Sequence, residues 1–138
     1  MSDVMVTAKE YLTPKPLTGT EGKRGTHWLT HEEGQRICLT LDKQDTSTNT
    51  LDEPVLRELD GLLDEVEKGD WKAVIFRSAK RSGFAAGADL KQFQGIETES
   101  EIRARIDEGN AVIDRIAALK PTTIAVVHGA CVGGGLEL

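Results

Sequence analysis

Residues 122–138 read TTIAVVHGACVGGGLEL. The apolar run Ile124-Ala125-Val126-Val127 predicts a buried strand. Gly133-Gly134-Gly135 predicts a tight turn, and Leu136-Glu137 the start of a helix. A strand that feeds a glycine turn and then a helix start aims backbone N–H groups at a ligand. Glycine lets that backbone come close, because no Cβ stands between it and what it binds. Two nucleotide-binding loops are excluded by spacing. Leu138 stands where G-x-G-x-x-G counted from Gly133 needs its third glycine. Gly129 and Gly134 have phosphate-loop spacing, but Gly135-Leu136 replace the Lys-Ser/Thr that must follow.

Upstream of this stretch, residues 98–119 predict a helix. Thr98 and Glu101 form a capping-box pattern. Ile102, Ile106, Ile113 and Ile116 share one face, and Gly109 on that face permits a close helix contact. Lys120-Pro121 ends the helix. Before it, SGFAAGADLK at 82–91 passes through Gly83 and Gly87 as a second glycine-containing turn. Residues 71–77 hold Ala73-Val74-Ile75-Phe76, a run suited to a strand buried on both faces. A helix is predicted over 53–68, capped by Asp52, with Pro54 in its first turn and Gly69 at its end. Val55, Leu59, Leu62, Leu63 and Val66 mark its buried face. Residues 26–30 and 36–41 predict two strands joined by a turn at Glu33-Gly34. Strand, helix, strand in this order implies an α/β fold with a parallel crossover. Residues 1–25 carry Pro14, Pro16, Gly19, Gly22 and Gly25 and read as a polar lead-in, which leaves 26–138 as the folded region.

With 138 residues, 38% hydrophobic and 29% charged, the chain suits one globular domain or part of one. A formal net charge of -6 argues against a nucleic-acid partner, which would call for a basic stripe. Lys72, Arg77, Lys80, Arg81 and Lys91 bracket the upstream turn, either as a local phosphate patch or as scattered surface charge. Cys38 and Cys131 read as reduced core cysteines, without the spacing of a zinc site. His128 at a strand end reads as structural, and Trp28 and Phe76 as core. The sequence itself suggests no role for His27 or His31. No run approaches a membrane span, and the N-terminus lacks the apolar region of a secretory signal; a cytoplasmic location is expected, or the mitochondrial matrix in a eukaryote.

Three pieces standing in order, Asn49-Thr50-Leu51, SGFAAGADLK at 82–91 and KPTTIAVVHGACVGGGLEL at 120–138, resemble the crotonase superfamily of enoyl-CoA hydratases and isomerases. RSAKRSGFAAGADLKQF and NTLDEPVLRELDGLL look like the hydratase region of the multifunctional fatty-acid oxidation alpha subunits. The resemblance covers roughly residues 28–138. It implies a crotonase-like spiral of ββα units, of which this chain supplies the N-terminal part.

The implied reaction is hydration of a 2-trans-enoyl-CoA to a 3-hydroxyacyl-CoA in fatty-acid β-oxidation. Negative charge builds on the thioester oxygen, and two preset N–H donors there lower the barrier; losing one typically costs ~2.7–4 kcal/mol. The resemblance assigns the donors to the backbone of Ala88 and Gly134. It matches Glu137 to one of two catalytic glutamates, with the second on a segment after Leu138. Ala86, Gly87, Ala88, Asp89 and Leu90, with Lys91 and Gly133, are implied to hold the CoA portion; Asp89 reads equally as a cap for the following turn. No metal and no separate cofactor is implied, because CoA arrives with the substrate, and NAD enters only if a dehydrogenase region follows. Partners implied are the acyl-CoA thioester and either further copies of the chain or a thiolase subunit. The alternatives are a 3,2-enoyl-CoA isomerase, a bifunctional hydratase/isomerase, or an inactive acyl-CoA-binding fragment. The 138 residues alone are expected to be inactive and poorly folded, with apolar strand surface exposed.

Overall fold

The computed structural model describes residues 22–88 and 90–138. Five strands form the main sheet in the order β1 (Lys23–Arg24), β2 (Trp28–Glu33), β3 (Arg36–Leu41), β4 (Ala73–Ser78) and β6 (Thr122–Ala125). The hairpin at Glu33-Gly34 is present, with β2 and β3 antiparallel and Glu33 opposite Arg36. The next two pairings, β3 with β4 and β4 with β6, are parallel, as the crossover order requires. Lys23 and Arg24, expected in the lead-in, instead add a short edge strand against Thr30 and Leu29. Two polar residues carry no periodic signal, so this pairing is set by their neighbours.

Helix α1 (Glu53–Lys68) crosses from β3 to β4. The Asp52 carboxylate accepts the Val55 N–H at 3.1 Å, which supplies one of the partners a helix start lacks. Val55, Leu59, Leu63 and Val66 are fully buried against Trp28, Leu39, Val74 and Phe76. Val74, Ile75 and Phe76 are all buried, as a central parallel strand demands. The Trp28 indole N–H donates to the Val55 carbonyl at 3.0 Å, so the largest core side chain also fixes the helix. Glu58 accepts the backbone N–H groups of His27 and Trp28, at 2.8 and 3.1 Å, and anchors the start of β2.

Helix α2 (Glu99–Ala117) is capped by the Thr98 hydroxyl, which accepts the Glu101 N–H. Its isoleucine stripe is not buried as a whole. Ile116 is buried, whereas Ile106 is 48% exposed. Arg115 ties the helix to α1 through Asp60, Asp64 and Glu67.

Strand β6 has the composition of a buried strand, but its apolar surface is exposed, as expected for these 138 residues taken alone. All four of its residues are exposed, and Ile124 and Val127 are 43% and 44% accessible. It sits at the sheet edge, paired to β4 alone among the described strands. The strand ends at Ala125, and Val126 makes one further bond, N–H to the Phe76 carbonyl at 2.9 Å. A second, two-stranded sheet pairs β5 (Gly83–Ala85) with β7 (Ala130–Cys131) in parallel. These strands of two and three residues are too short to show periodicity. They set the two glycine turns side by side.

Candidate active site

The upstream turn leaves β5 at Ala85 and is gripped at once by the loop before α1. The Ala86 N–H donates to the Asn49 carbonyl at 2.9 Å, and the Leu51 N–H donates to the Gly87 carbonyl at 2.7 Å. Gly87 has φ +91, a conformation that L side chains rarely adopt. Ala86 is half-buried, Gly87 buried and Ala88 exposed. Leu90 opens a short 3₁₀ helix, Leu90–Phe93, on which Lys91 is exposed. Asp89 lies outside the described residues.

The downstream turn is built differently. Gly133, at φ +54, precedes helix α3 (Gly134–Glu137). Val132 N–H ties it to the Ala85 carbonyl at 3.2 Å, and its further bonds are local: Gly135 N–H to Val132 O, Leu136 N–H to Gly133 O, and Glu137 N–H to Gly133 O. The Cys131 thiol adds a contact of 3.5 Å to the Gly135 carbonyl. Gly135 is demanded by packing, because a Cβ there would collide with the Ala85 carbonyl. Gly134 is not. A Cβ at that position would meet Leu51 Cδ1 at 3.6 Å and Ala88 N at 4.0 Å, which is ordinary contact. The protein's own packing therefore leaves space beside Gly134.

The two turns meet. A Cβ placed on Gly87 would lie 3.1 Å from the Gly134 nitrogen, and one on Gly134 would lie 4.0 Å from the Ala88 nitrogen. Among the described residues, neither the Ala88 nor the Gly134 N–H is spent on a backbone hydrogen bond, while Ala86 and Gly135 close by are both paired. Ala88, Gly134 and Glu137 line one cavity of about 630 Å³. Its other walls are α1 and the open face of α2, with Leu56, Phe93, Ile106 and Ile113 as apolar lining. At its polar side Arg105 reaches the Glu53 carboxylate at 2.6 Å, and Glu53 also pairs with Arg57. Glu137 is exposed on α3. Helix α3 is a single turn among the described residues, so its macrodipole adds little; the free N–H itself is what this turn offers.

Of the residues singled out from sequence, the fold brings Ala86, Gly87, Ala88, Gly133, Gly134 and Glu137 to one place, with Leu90 and Lys91 following directly on the 3₁₀ helix. Two residues of the suggested basic patch lie apart from each other. Lys80 is committed to Asp42 at 2.9 Å and to the Thr46 carbonyl at 2.7 Å, and Lys72 precedes β4 at the opposite end from Lys80. His128 is structural, its Nε2 lying 2.6 Å from the Lys80 carbonyl. His27 has a partner that was not foreseen, the Gln44 N–H, which donates to its Nδ1 at 3.2 Å. Among the described residues, no group of three or more His, Cys, Asp and Glu is placed to hold a metal ion.

Sequence reasoning missed what Asn49 does: it is 1% exposed, with a side chain at hydrogen-bond distance from four groups. Its appearance beside Leu51, just before a capped helix, was the one available signal.

Comparison with known proteins bears on the family and the fold. Residues 37–138 match the family described as enoyl-CoA hydratase/isomerase. The fatty acid oxidation complex subunit alpha of Idiomarina loihiensis is 38% identical over 101 residues, covering 72% of this chain and 14% of the relative. That of Aliivibrio fischeri is 34% identical over 111 residues, covering 79% of this chain and 16% of the relative. The chain thus spans about one seventh of the length of such curated relatives. Among solved structures, an enoyl-CoA hydratase from Bacillus anthracis superposes with TM-score 0.72 at 25% identity, covering 80% of this chain and 43% of that one. An enoyl-CoA hydratase/carnitine racemase from Magnetospirillum magneticum gives 0.75 at 27% identity, covering 86% and 44%. The mixed α/β architecture is that of the crotonase fold, in its N-terminal portion. The chain belongs to the enoyl-CoA hydratase/isomerase family.

Proposed function

We propose that the protein hydrates 2-trans-enoyl-CoA thioesters to 3-hydroxyacyl-CoA, as a lyase of fatty-acid β-oxidation. The observation that carries this reading is the adjacency of two backbone N–H groups, of Ala88 and Gly134, unspent on backbone bonds among the described residues, in a cavity that also presents Glu137. The thioester oxygen accepts from both amides. The Glu137 carboxylate takes a proton from water as the oxygen of that water bonds to C3 of the substrate. The C2–C3 π pair moves to C2 and the thioester oxygen, and the enolate charge falls where the two donors stand. The proton held on Glu137 is passed to C2, so that one water in all is added across the double bond and the carboxylate is restored.

The remaining parts of the site follow from position. The turn at 86–91, with Gly133, is where the CoA portion lies; CoA comes with the substrate, and the reaction calls on no separate cofactor. NAD belongs only to a dehydrogenase region, should one accompany this one. Assembly into a homo-oligomer or with a thiolase subunit, and a cytoplasmic or mitochondrial-matrix location, go with the same reading. No helix among the described residues is long and apolar enough to cross a membrane.

The family is shared by isomerases, and an isomerase or bifunctional reading is the alternative. Glu137 favours hydration, which needs a group to activate water. The test offers the full chain crotonyl-CoA and a 3-enoyl-CoA side by side. Loss of the enoyl absorbance with formation of 3-hydroxybutyryl-CoA is expected; double-bond migration without hydration would replace the hydratase reading by the isomerase one. Residues 1–138 assayed alone are expected to be inactive, and turnover by that piece would contradict this.

A further inference from the structure

We infer that Asn49 is a positioning residue for the reaction, fixing the Ala88 N–H in its catalytic direction; the inference rests on the hydratase reading above. Asn49 does not line the cavity and touches none of the reacting atoms. Its side chain instead joins three strands. Nδ2 lies 3.1 Å from the Leu41 carbonyl at the end of β3, 2.8 Å from the Ser78 hydroxyl at the end of β4, and 3.0 Å from the Phe84 carbonyl in β5. Oδ1 accepts the Lys43 N–H at 3.0 Å. Ser78 extends the network, donating to the Gly83 carbonyl at 2.8 Å and accepting the Lys80 N–H at 3.0 Å.

The main chain of the same loop then holds the upstream turn. The Asn49 carbonyl takes the Ala86 N–H, and two residues later Leu51 donates to the Gly87 carbonyl. The Ala85–Ala86 and Gly87–Ala88 peptide groups are thus held by residues 49 and 51, and the second of these carries the Ala88 N–H.

The two proposed donors are therefore supported unequally. Gly134 belongs to a turn that closes on itself through Val132 and Gly133. The turn at Ala88 has no such local bond among the described residues, and takes its direction from the loop that Asn49 pins. Nothing else fits the site as well. The network needs donors and an acceptor on one short planar group, which an amide supplies and a carboxylate does not. Removing it would take a partner from the buried Lys43 N–H and Phe84 carbonyl, while the Leu41 carbonyl keeps the Ala79 N–H.

The experiment uses the full chain with Asn49→Ala, and Ser78→Ala as a milder variant that keeps the asparagine but removes one acceptor. Turnover is counted per folded site, and the carbonyl stretching band of a bound enoyl-CoA is read by difference infrared spectroscopy. Misplacing one donor should lower kcat of Asn49→Ala by about a hundredfold with KM little changed. Ser78→Ala should lower it by about tenfold, the worth of one hydrogen bond. In both, the carbonyl band should move back toward its position in free substrate. If kcat per folded site and the band are unchanged while only the melting temperature falls, Asn49 is structural and the inference is overturned. If Asn49→Ala does not fold, Ser78→Ala decides by the same two readouts. Absence of hydration by the unaltered chain overturns the hydratase reading and the inference with it, a result distinct from an active parent with unaffected variants.

Discussion

Helices α1 and α2 carry the same kind of sequence signal and use it differently. Both are capped by a polar side chain, Asp52 and Thr98, and both show an apolar stripe at helical spacing. In α1 the stripe disappears into the core, with Val55, Leu59 and Leu63 at zero exposure. In α2 only Ile116 is buried, while Ile106 and Ile113 face the cavity shared by Ala88, Gly134 and Glu137. An amphipathic pattern states that a face is apolar. Whether that face serves stability or lines a cavity is decided by what the rest of the chain places opposite it.

If the open face of α2 walls a reaction cavity, changes at the residues across from it should be felt in rate and spare stability. Glu137→Gln should lower kcat by about 10²–10⁴-fold, the usual contribution of a general base, with an unchanged melting temperature. Gly134→Val sharpens the same point. A Cβ there meets only ordinary contacts, so the variant should fold, yet bind and turn over enoyl-CoA poorly in steady-state assays.

The two helices can then be compared directly by denaturant unfolding. Leu59→Ala in α1 should cost about 2–5 kcal/mol through the cavity it leaves. Ile106→Ala in α2 should stay within about 0.5 kcal/mol, as surface substitutions do. Equal costs would break the comparison. The link between the helices is ionic: Arg115 meets Asp60, Asp64 and Glu67 with a side chain 23% exposed against partners at least half exposed. Arg115→Ala should therefore cost no more than about 1 kcal/mol, and less in high salt.

The smallest effect lies at the rim of the core. Burial alone would raise the pKa of Asp42, but hydrogen bonds from Lys80 and Arg24 outweigh it and hold the carboxyl below its ordinary value. A depressed folded-state pKa gives stability that is present above the unfolded value and lost as pH falls through the folded one. Asp42→Asn should flatten the acid limb of the stability profile by no more than about 1 kcal/mol, since solvent still screens a carboxylate that is only half-buried.

The parts read correctly from sequence are those in which burial repeats locally. Val55, Leu59, Leu63 and Val66 announce α1 by spacing, Asp52 and Gly69 bound it, and Val74-Ile75-Phe76 marks the central strand. What failed depended on distant partners. Ile124 has strand composition, but only the sheet order shows that β6 lies at the edge among the described strands. β5 and β7 are too short for any period. Asn49 is buried because Ser78 and Phe84, 29 and 35 residues away, supply its acceptors. The proposed site is a mixed case. Its glycines were visible, but a backbone N–H has no side chain to announce it, and the pairing of Ala88 with Gly134 entered through resemblance before geometry supported it.

The central claim is that these two amides share one thioester oxygen. It is tested most directly by a crystal structure of the full chain with an unreactive acyl-CoA bound. The account predicts the thioester oxygen within about 2.7–3.1 Å of both the Ala88 and Gly134 nitrogens. An oxygen held by only one of them, or pointing away from both toward solvent, would contradict it.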